Sequence, residues 1–213
     1  MRSSGCSSRI SLTELRSILE FYNATLPHWR IVRKDTLIRE AGPILQGITF
    51  ERLSGGEYRP TGHVRVLVAP EDFWGFELCQ HLNVKYRQIN RRQHPEFRDR
   101  VANAIHAEFV PNVDRPLVAE EVLELYEREA SPPRSPDAYS LAALNAYLGH
   151  RDRATHWCSR FTELVNAGGN PWQDFDYKRR TFLDQLEGWI QAGTAKNELE
   201  KVLQEERHKW GLT

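Results

Sequence analysis

Hydrophobic residues stand at alternate positions in part of the first half of the chain, and at every third or fourth position through most of the second half. Alternation is typical of a strand with one buried face, whereas the longer spacing is typical of an amphipathic helix. The pattern therefore predicts an α+β fold. We expect a small antiparallel sheet flanked by helices in the first half, and antiparallel helical hairpins in the second half.

The first half is predicted to begin with a helix at Ser11, because Ser11 and Glu14 have the spacing of a capping box. Residues 76–89 alternate clearly, so that Val84 should lie on a buried face and Lys85 on a face exposed to water. The elements predicted for this half are the helix from Ser11, a short helix at 35–41, strands at 47–53, 58–69 and 76–89, and a helix at 94–109.

The second half is predicted to hold five helices, separated by short segments that contain proline or glycine. They begin at Pro116 and Ser135, span 151–167 and 171–191, and begin again after Thr194, with a linker at 131–137. The domains that follow from this pattern are a flexible tail at 1–10, an α+β domain at 11–115 and a helical domain at 116–213. The sequence leaves open whether the two domains share one continuous core.

Composition and charge restrict the class of protein. Hydrophobic residues make up 40% and charged residues 27% of the 213 residues, which is ordinary for a globular chain. The net charge is zero, so we do not expect a nucleic-acid partner, which usually requires a basic excess. Residues 1–110 carry 16 basic and 12 acidic groups, and residues 111–213 carry 13 and 17, which gives the halves opposite signs. Arginine supplies 23 of the 29 basic residues, which indicates either an interface rich in ion pairs or the codon usage of a GC-rich genome.

The start of the chain and its cysteines predict a cytoplasmic location. Cys6, Cys79 and Cys158 are too few and too far apart for a disulfide framework or a zinc site. The first residues lack the apolar region of a signal peptide, and no apolar run is long enough to span a membrane. We therefore expect reduced thiols, no membrane association and no metal ion.

The sequence contains no known catalytic motif, and we predict neither enzymatic activity nor a cofactor. It has no G-x-S-x-G, phosphate-binding loop or G-x-G-x-x-G. Asp174 and Asp176 form a D-x-D pair, which can hold a divalent ion. They also fall in the first turn of a predicted helix, where acidic residues stabilise the helix dipole, and we favour that interpretation.

Three features are candidates for binding a protein partner. Glu120, Glu124 and Glu127 form an acidic row on one face of a predicted helix, which could dock a basic partner or simply be a solvated face. Arg91 and Arg92 belong to a basic segment at 85–100 that also contains aromatic residues. Such a segment could contact a protein or single-stranded nucleic acid, or simply form a solvated face. Interface anchors are often aromatic, and Trp74 and Trp172 lie where loops could expose them, although either could belong to the core.

Two resemblances guide the functional hypothesis. LAALNAYLGHRDRAT, within residues 135–161, resembles one tetratricopeptide-like helical hairpin, without a second copy. GITFERLSGGEYRP, HVRVLVAP and LNVKY, followed by that hairpin, resemble uncharacterised α+β families of bacterial immunity proteins that accompany polymorphic toxins. The second resemblance implies a cytoplasmic protein that binds one cognate toxin and occludes it. The alternatives are a helical adaptor without a toxin partner, or an enzyme with an unrecognised site.

Overall fold

A computed structural model describes residues 9–72, 77–115, 117–129, 132–167 and 173–212, and these have an α+β fold. Contacts within the chain divide it into two compact units. Unit 1 comprises residues 1–41, 45–65 and 76–117, and unit 2 comprises residues 42–44, 66–75 and 118–213. Residues 1–8 of the predicted tail lie outside the described part, and Ile10 is buried in the core of unit 1.

A six-stranded sheet with one helix before it and one after it forms the framework of unit 1. The strands follow the order β1-β2-β3-β4-β5, β6 pairs with β4, and the registered pairs are antiparallel. The elements are α1 (Leu12–Thr25), β1 (Arg30–Val32), β2 (Thr36–Ala41), β3 (Ile44–Arg52), β4 (Glu57–Val66), β5 (Glu77–His81), β6 (Ile89–Asn90) and α2 (His94–Glu108).

The core of unit 1 lies where α1 and α2 bury their apolar faces with side chains of the sheet. The predicted capping box of α1 is confirmed, since Glu14 N donates to Ser11 Oγ at 3.2 Å and Ser11 N donates to the Glu14 carboxylate at 2.9 Å. Aromatic rings join helix and sheet, because Tyr22 of α1 stacks on Phe50 of β3 at 5.1 Å between centroids. Large side chains from distant parts of the chain thus bury a common apolar surface, which stabilises the unit.

The prediction of a short helix at 35–41 is wrong, because this segment forms β2. Gly42 has a φ of 56°, a value that favours glycine, and it lies in the turn between β2 and β3. Arg39 of β2 is buried and donates hydrogen bonds to Gln46 of β3 and to the carbonyl of Val113. Strand pairing and these distant contacts determine the conformation, and a local pattern does not reveal them.

The prediction of one long strand at 76–89 is only partly right. Its described part is paired at β5 and again at β6, and residues 82–88 form turns and loops. Lys85 N donates to Asn83 Oδ1 at 3.1 Å, a local bond that favours a turn over a strand. Val84 was predicted to be buried, but it is 89% exposed.

The wet face expected for the strand at 76–89 is not found in β3 or in most of β4, which are buried on both faces. Consecutive residues from Ile44 to Phe50 are buried, so both faces of β3 are buried. The face opposite the apolar core carries polar side chains that bond to each other: Thr49 lies 3.1 Å from Thr36 and 3.2 Å from His63 Nε2. These mutual hydrogen bonds allow residues that look solvent-facing in the sequence to be buried.

Unit 2 is a bundle in which one helix is surrounded by the others. Residues 137–146 of α4 are all buried, and α4 packs against α3, α5, α6 and α7. A helix without a polar face is expected to occupy such a central position. The helices are α3 (Ala119–Glu129), α4 (Ser135–Tyr147), α5 (Arg151–Ala167), α6 (Gln173–Ala192) and α7 (Ala195–Lys209).

The helical hairpin predicted at 135–161 is present as α4 and α5, which pack closely. Gly149 has a φ of 83° after the end of α4. The His150 N–H donates to the Asn145 carbonyl at 2.9 Å, and the Gly149 N–H donates to the Ala146 carbonyl at 3.1 Å. This pair of hydrogen bonds forms a Schellman motif, which ends one helix and turns the chain into the next.

Among the described residues, no helix is both long enough and apolar enough to cross a membrane.

Candidate functional site: a groove between α6 and α7

The structure places the predicted binding residues in different surroundings. Trp74 and Trp172 lie outside the described residues. In unit 1, Arg91 is partly buried and forms an ion pair with Glu14 at 3.1 Å, and Arg92 is exposed. Arg91 therefore has a role in joining the start of α1 to the segment before α2.

The predicted acidic row of Glu120, Glu124 and Glu127 lies on α3 in unit 2. Glu120 and Glu124 are exposed, and neither forms an ion pair with another described residue. Glu127 is partly buried and pairs with Arg153 of α5. Two of the three predicted carboxylates are thus available on the surface, while the third contributes to helix packing.

The basic segment at 85–100 does not present free aromatic rings. Tyr86 and Phe97 are partly buried against the core of unit 1. Some of the segment's cationic groups lie over rings, with Arg98 4.8 Å from the centroid of Phe21 and Lys85 5.5 Å from that of Tyr86. These contacts give the aromatic residues a structural role.

A buried ion pair in unit 2 fixes a short segment onto the helices, and sequence analysis did not predict it. Arg179 of α6 donates from Nε to Glu71 at 2.8 Å, and Asp176 lies 3.3 Å from Arg179 Nη1. All three side chains are at most 8% exposed. A buried, charge-assisted pair of this kind is stronger than a neutral hydrogen bond, and it holds Glu71 against α6.

Two further bonds hold the same segment, residues 70–72. The Tyr139 hydroxyl of α4 donates to the Pro70 carbonyl at 2.8 Å, and Lys209 of α7 donates to the Glu71 carbonyl. The Lys178–Asp72 pair lies outside this buried cluster, since both side chains are more than half exposed. Bonds from α4, α6 and α7 therefore fix Pro70 against the bundle.

Pro70 forms one wall of a groove of about 330 Å³ in unit 2, which we call the α6–α7 groove. Its apolar lining consists of Pro70, Phe182, Trp189 and Val202. Phe182 and Trp189 meet edge to face, with centroids 6.0 Å apart and an interplanar angle of 83°. The polar lining consists of Gln185, Glu198, Lys201, Glu205 and Glu206.

Some polar side chains of the groove already form ion pairs or hydrogen bonds within the protein, and others do not. Glu198 forms an ion pair with Lys201 at 2.8 Å, and the buried Glu206 accepts a hydrogen bond from Trp210 Nε1 at 2.6 Å. The side chains of Gln185, Trp189 and Glu205 form no hydrogen bond with another described residue. The lining of the groove therefore includes an amide, an indole and a carboxylate side chain that no described residue engages, beside apolar residues.

The net charge of unit 2 and the net charge of the groove lining are both negative. Its residues include 18 acidic and 12 basic side chains, a net charge of −6. Within the groove, three carboxylates stand beside one ammonium group. Summed charge of this kind attracts a basic ligand and increases its local concentration.

Unit 1 contains two polar clusters that are largely enclosed. The Tyr22 hydroxyl lies 2.9 Å from that of Tyr58, which lies 2.8 Å from His94 Nδ1. Burial raises the pKa of both tyrosines, and burial followed by the nearby Arg98 lowers the pKa of His94. These shifts favour the neutral form of all three groups.

The second cluster is the Thr36–Thr49–His63 chain on the opposite face of the sheet. Burial, followed by the charge of Arg65, lowers the pKa of His63 to about 3. Gly47 provides the space for the imidazole, since a Cβ there would lie 2.0 Å from His63 Cε1. The two clusters stabilise unit 1. The groove of unit 2, whose lining includes the exposed Gln185 and Glu205, is the better candidate for a binding site.

Comparison of the chain with known protein families, with curated proteins and with solved structures gave no match.

Proposed function

We propose that the protein is a non-catalytic protein-binding module that neutralises a cognate bacterial toxin in the cytoplasm by binding and occluding it. The observation that carries the proposal is the α6–α7 groove, which combines an apolar lining with polar groups that no described residue engages. Protein interfaces commonly have an apolar centre with a polar rim, and a groove of this composition suits a side chain of a partner.

The charge distribution supports the same proposal. Unit 2 is acidic overall, and Glu120 and Glu124 of α3 are exposed. Many toxins act on nucleic acids or other anionic substrates through basic surfaces, and an acidic inhibitor would reach such a surface rapidly. An inhibitor of this kind needs a rigid complementary surface, which the bonded segment 70–72 helps to provide.

The test is to purify the chain after co-expression with the product of the adjacent gene, and then to assay that product alone and in the complex. The proposal predicts a stoichiometric complex and loss of the partner's activity upon binding. A stable complex with a fully active partner would instead identify an adaptor. An adjacent gene product that neither binds nor harms the cell would contradict the proposal.

A further inference from the structure

We propose that the α6–α7 groove binds an arginine side chain on an extended segment of the partner protein. This inference rests on the proposed function, because it names the group by which the partner is recognised. Its starting point is the lining of the groove: an aromatic pair, a proline and a valine on one side, and the free polar groups of Gln185, Trp189 and Glu205 on the other.

The lining selects for a long side chain with a cationic end. The methylene groups of arginine can lie on Pro70 and Val202, because long basic side chains bury their apolar stems and leave the charge at the tip. The planar guanidinium can then stack on an aromatic ring such as Trp189 and donate to a carboxylate at the same time. Glu205 is the carboxylate in the groove without an ion-pair partner among the described residues.

The hydrogen-bonding groups further favour a peptide over a free amine. The Trp189 indole N–H can only donate, and the carbonyl of a peptide bond is a suitable acceptor for it. Gln185 can accept from the guanidinium or donate to the same backbone. The combination of an acceptor for a cation and a donor for a carbonyl matches an arginine within a polypeptide.

Two lysines of α7 could compete for Glu205, Lys201 in the groove and Lys209 outside its lining, and both already pair with another carboxylate. Lys201 is held by Glu198 through two contacts of 2.8 and 2.9 Å, and Lys209 is held by Glu206 at 3.0 Å. Neither lysine bonds to Glu205. An incoming arginine therefore meets a carboxylate without first displacing an internal cation.

The experiment is a titration of the full chain with an acetylated leucyl-arginyl-leucine amide. Binding is monitored through the NMR chemical shifts of the backbone amides and the indole N–H groups. The control ligand is the same tripeptide with citrulline, which keeps the shape and removes the charge. We expect saturable shifts at Gln185, Trp189 and Glu205, and about tenfold weaker binding of the citrulline peptide, since a hydrogen bond to a charged group contributes at least that factor.

Variants locate the interaction. Glu205→Gln is expected to lower the affinity for the arginine peptide about tenfold. Trp189→Phe is expected to lower it several-fold, because the aromatic ring remains while the indole donor is lost. Asp184→Asn is the matched control, since it removes one exposed carboxylate from α6 outside the groove and should change the affinity less than about twofold.

Equal binding of the two peptides, shifts confined to other surfaces, or no shifts would overturn the inference. The proposed function is judged separately by the co-expressed partner. If the partner is neutralised equally well by wild type and by Glu205→Gln, the function holds and the groove inference fails. If the groove binds the arginine peptide and no partner is neutralised, the groove inference holds and the function fails.

Discussion

Replacing Arg179 by Met should strongly destabilise unit 2. The substitution keeps most of the apolar stem but removes the cation that pairs with the buried carboxylates of Glu71 and Asp176. Removing one partner from a buried ion pair costs about 3–5 kcal/mol, because the remaining charge is desolvated and unpaired. The neighbouring Lys178 provides the control: its pair with Asp72 is exposed, so Lys178→Met should cost less than about 1 kcal/mol.

Amide hydrogen exchange of α4 is the appropriate assay, because α4 is the central helix of unit 2 and exchanges only when that unit opens. Arg179→Met should lower the protection of α4 far more than Lys178→Met does. Glu71→Gln should lower the stability of unit 2 less in the Arg179→Met variant than in wild type. The coupling free energy between the two substitutions should be about 1–3 kcal/mol. Equal small losses for the two cation variants, or additive effects in the double variant, would refute the reasoning.

Three further predictions concern unit 1 and are checked by urea unfolding. Tyr58→Phe should lower the free energy of unfolding by about 1–3 kcal/mol, because it leaves the buried hydroxyl of Tyr22 without a partner. Tyr22→Phe should lower it by about 1 kcal/mol or less. The reverse order would contradict the proposed hydrogen-bond chain. Gly47→Ala should destabilise by about 3 kcal/mol or more, since the new Cβ overlaps the imidazole of His63, and a neutral effect would show that the ring can move. The pKa of His63 is about 3, below its unfolded value of about 6.5, so its contribution is fully present above about pH 6.5 and is lost as the pH falls towards about 3. Stability between about pH 7 and pH 5 should therefore fall less steeply in His63→Gln than in wild type, and identical slopes would show that His63 is not buried as a neutral group.

Local signals in the sequence predicted several helix boundaries correctly, although the helix predicted at 35–41 is a strand and the one predicted from Pro116 begins at Ala119. The capping box at Ser11 marks the start of α1, and Gly149 marks the end of α4. Such signals are contained within one or two helical turns, so they can be interpreted without knowing the fold. The burial of α4 on all sides was not predicted, although the stretch from Leu141 to Ala146 is apolar or small at nearly every position.

The sheet was harder to predict because its signals are not local. The strand at 36–41 depends on pairing with its neighbours and on the distant bonds of Arg39. Thr49 and His63 appear polar and solvent-facing in the sequence, and only their mutual hydrogen bond explains their burial. Hydrophobic alternation identifies a half-buried strand, but it does not reveal a polar face that is also buried.

The α6–α7 groove could not be predicted from the sequence. Periodicity indicates which face of α6 or α7 is buried, but it does not indicate which faces of two helices meet. Pro70 comes from a segment far away in the chain, and the Arg179–Glu71 pair that holds this segment has no sequence signature. The acidic row on α3 was found by its spacing, although Glu127 proved to be engaged with Arg153.

The most direct test of toxin neutralisation through the α6–α7 groove is growth of cells that express the adjacent gene's product together with this chain. Wild type and an Asp184→Arg control should restore growth, and Glu205→Arg, which places a cation in the groove, should not. Equal protection by both variants would contradict the role of the groove. A gene product that does not impair growth when expressed alone would contradict neutralisation of a toxin altogether.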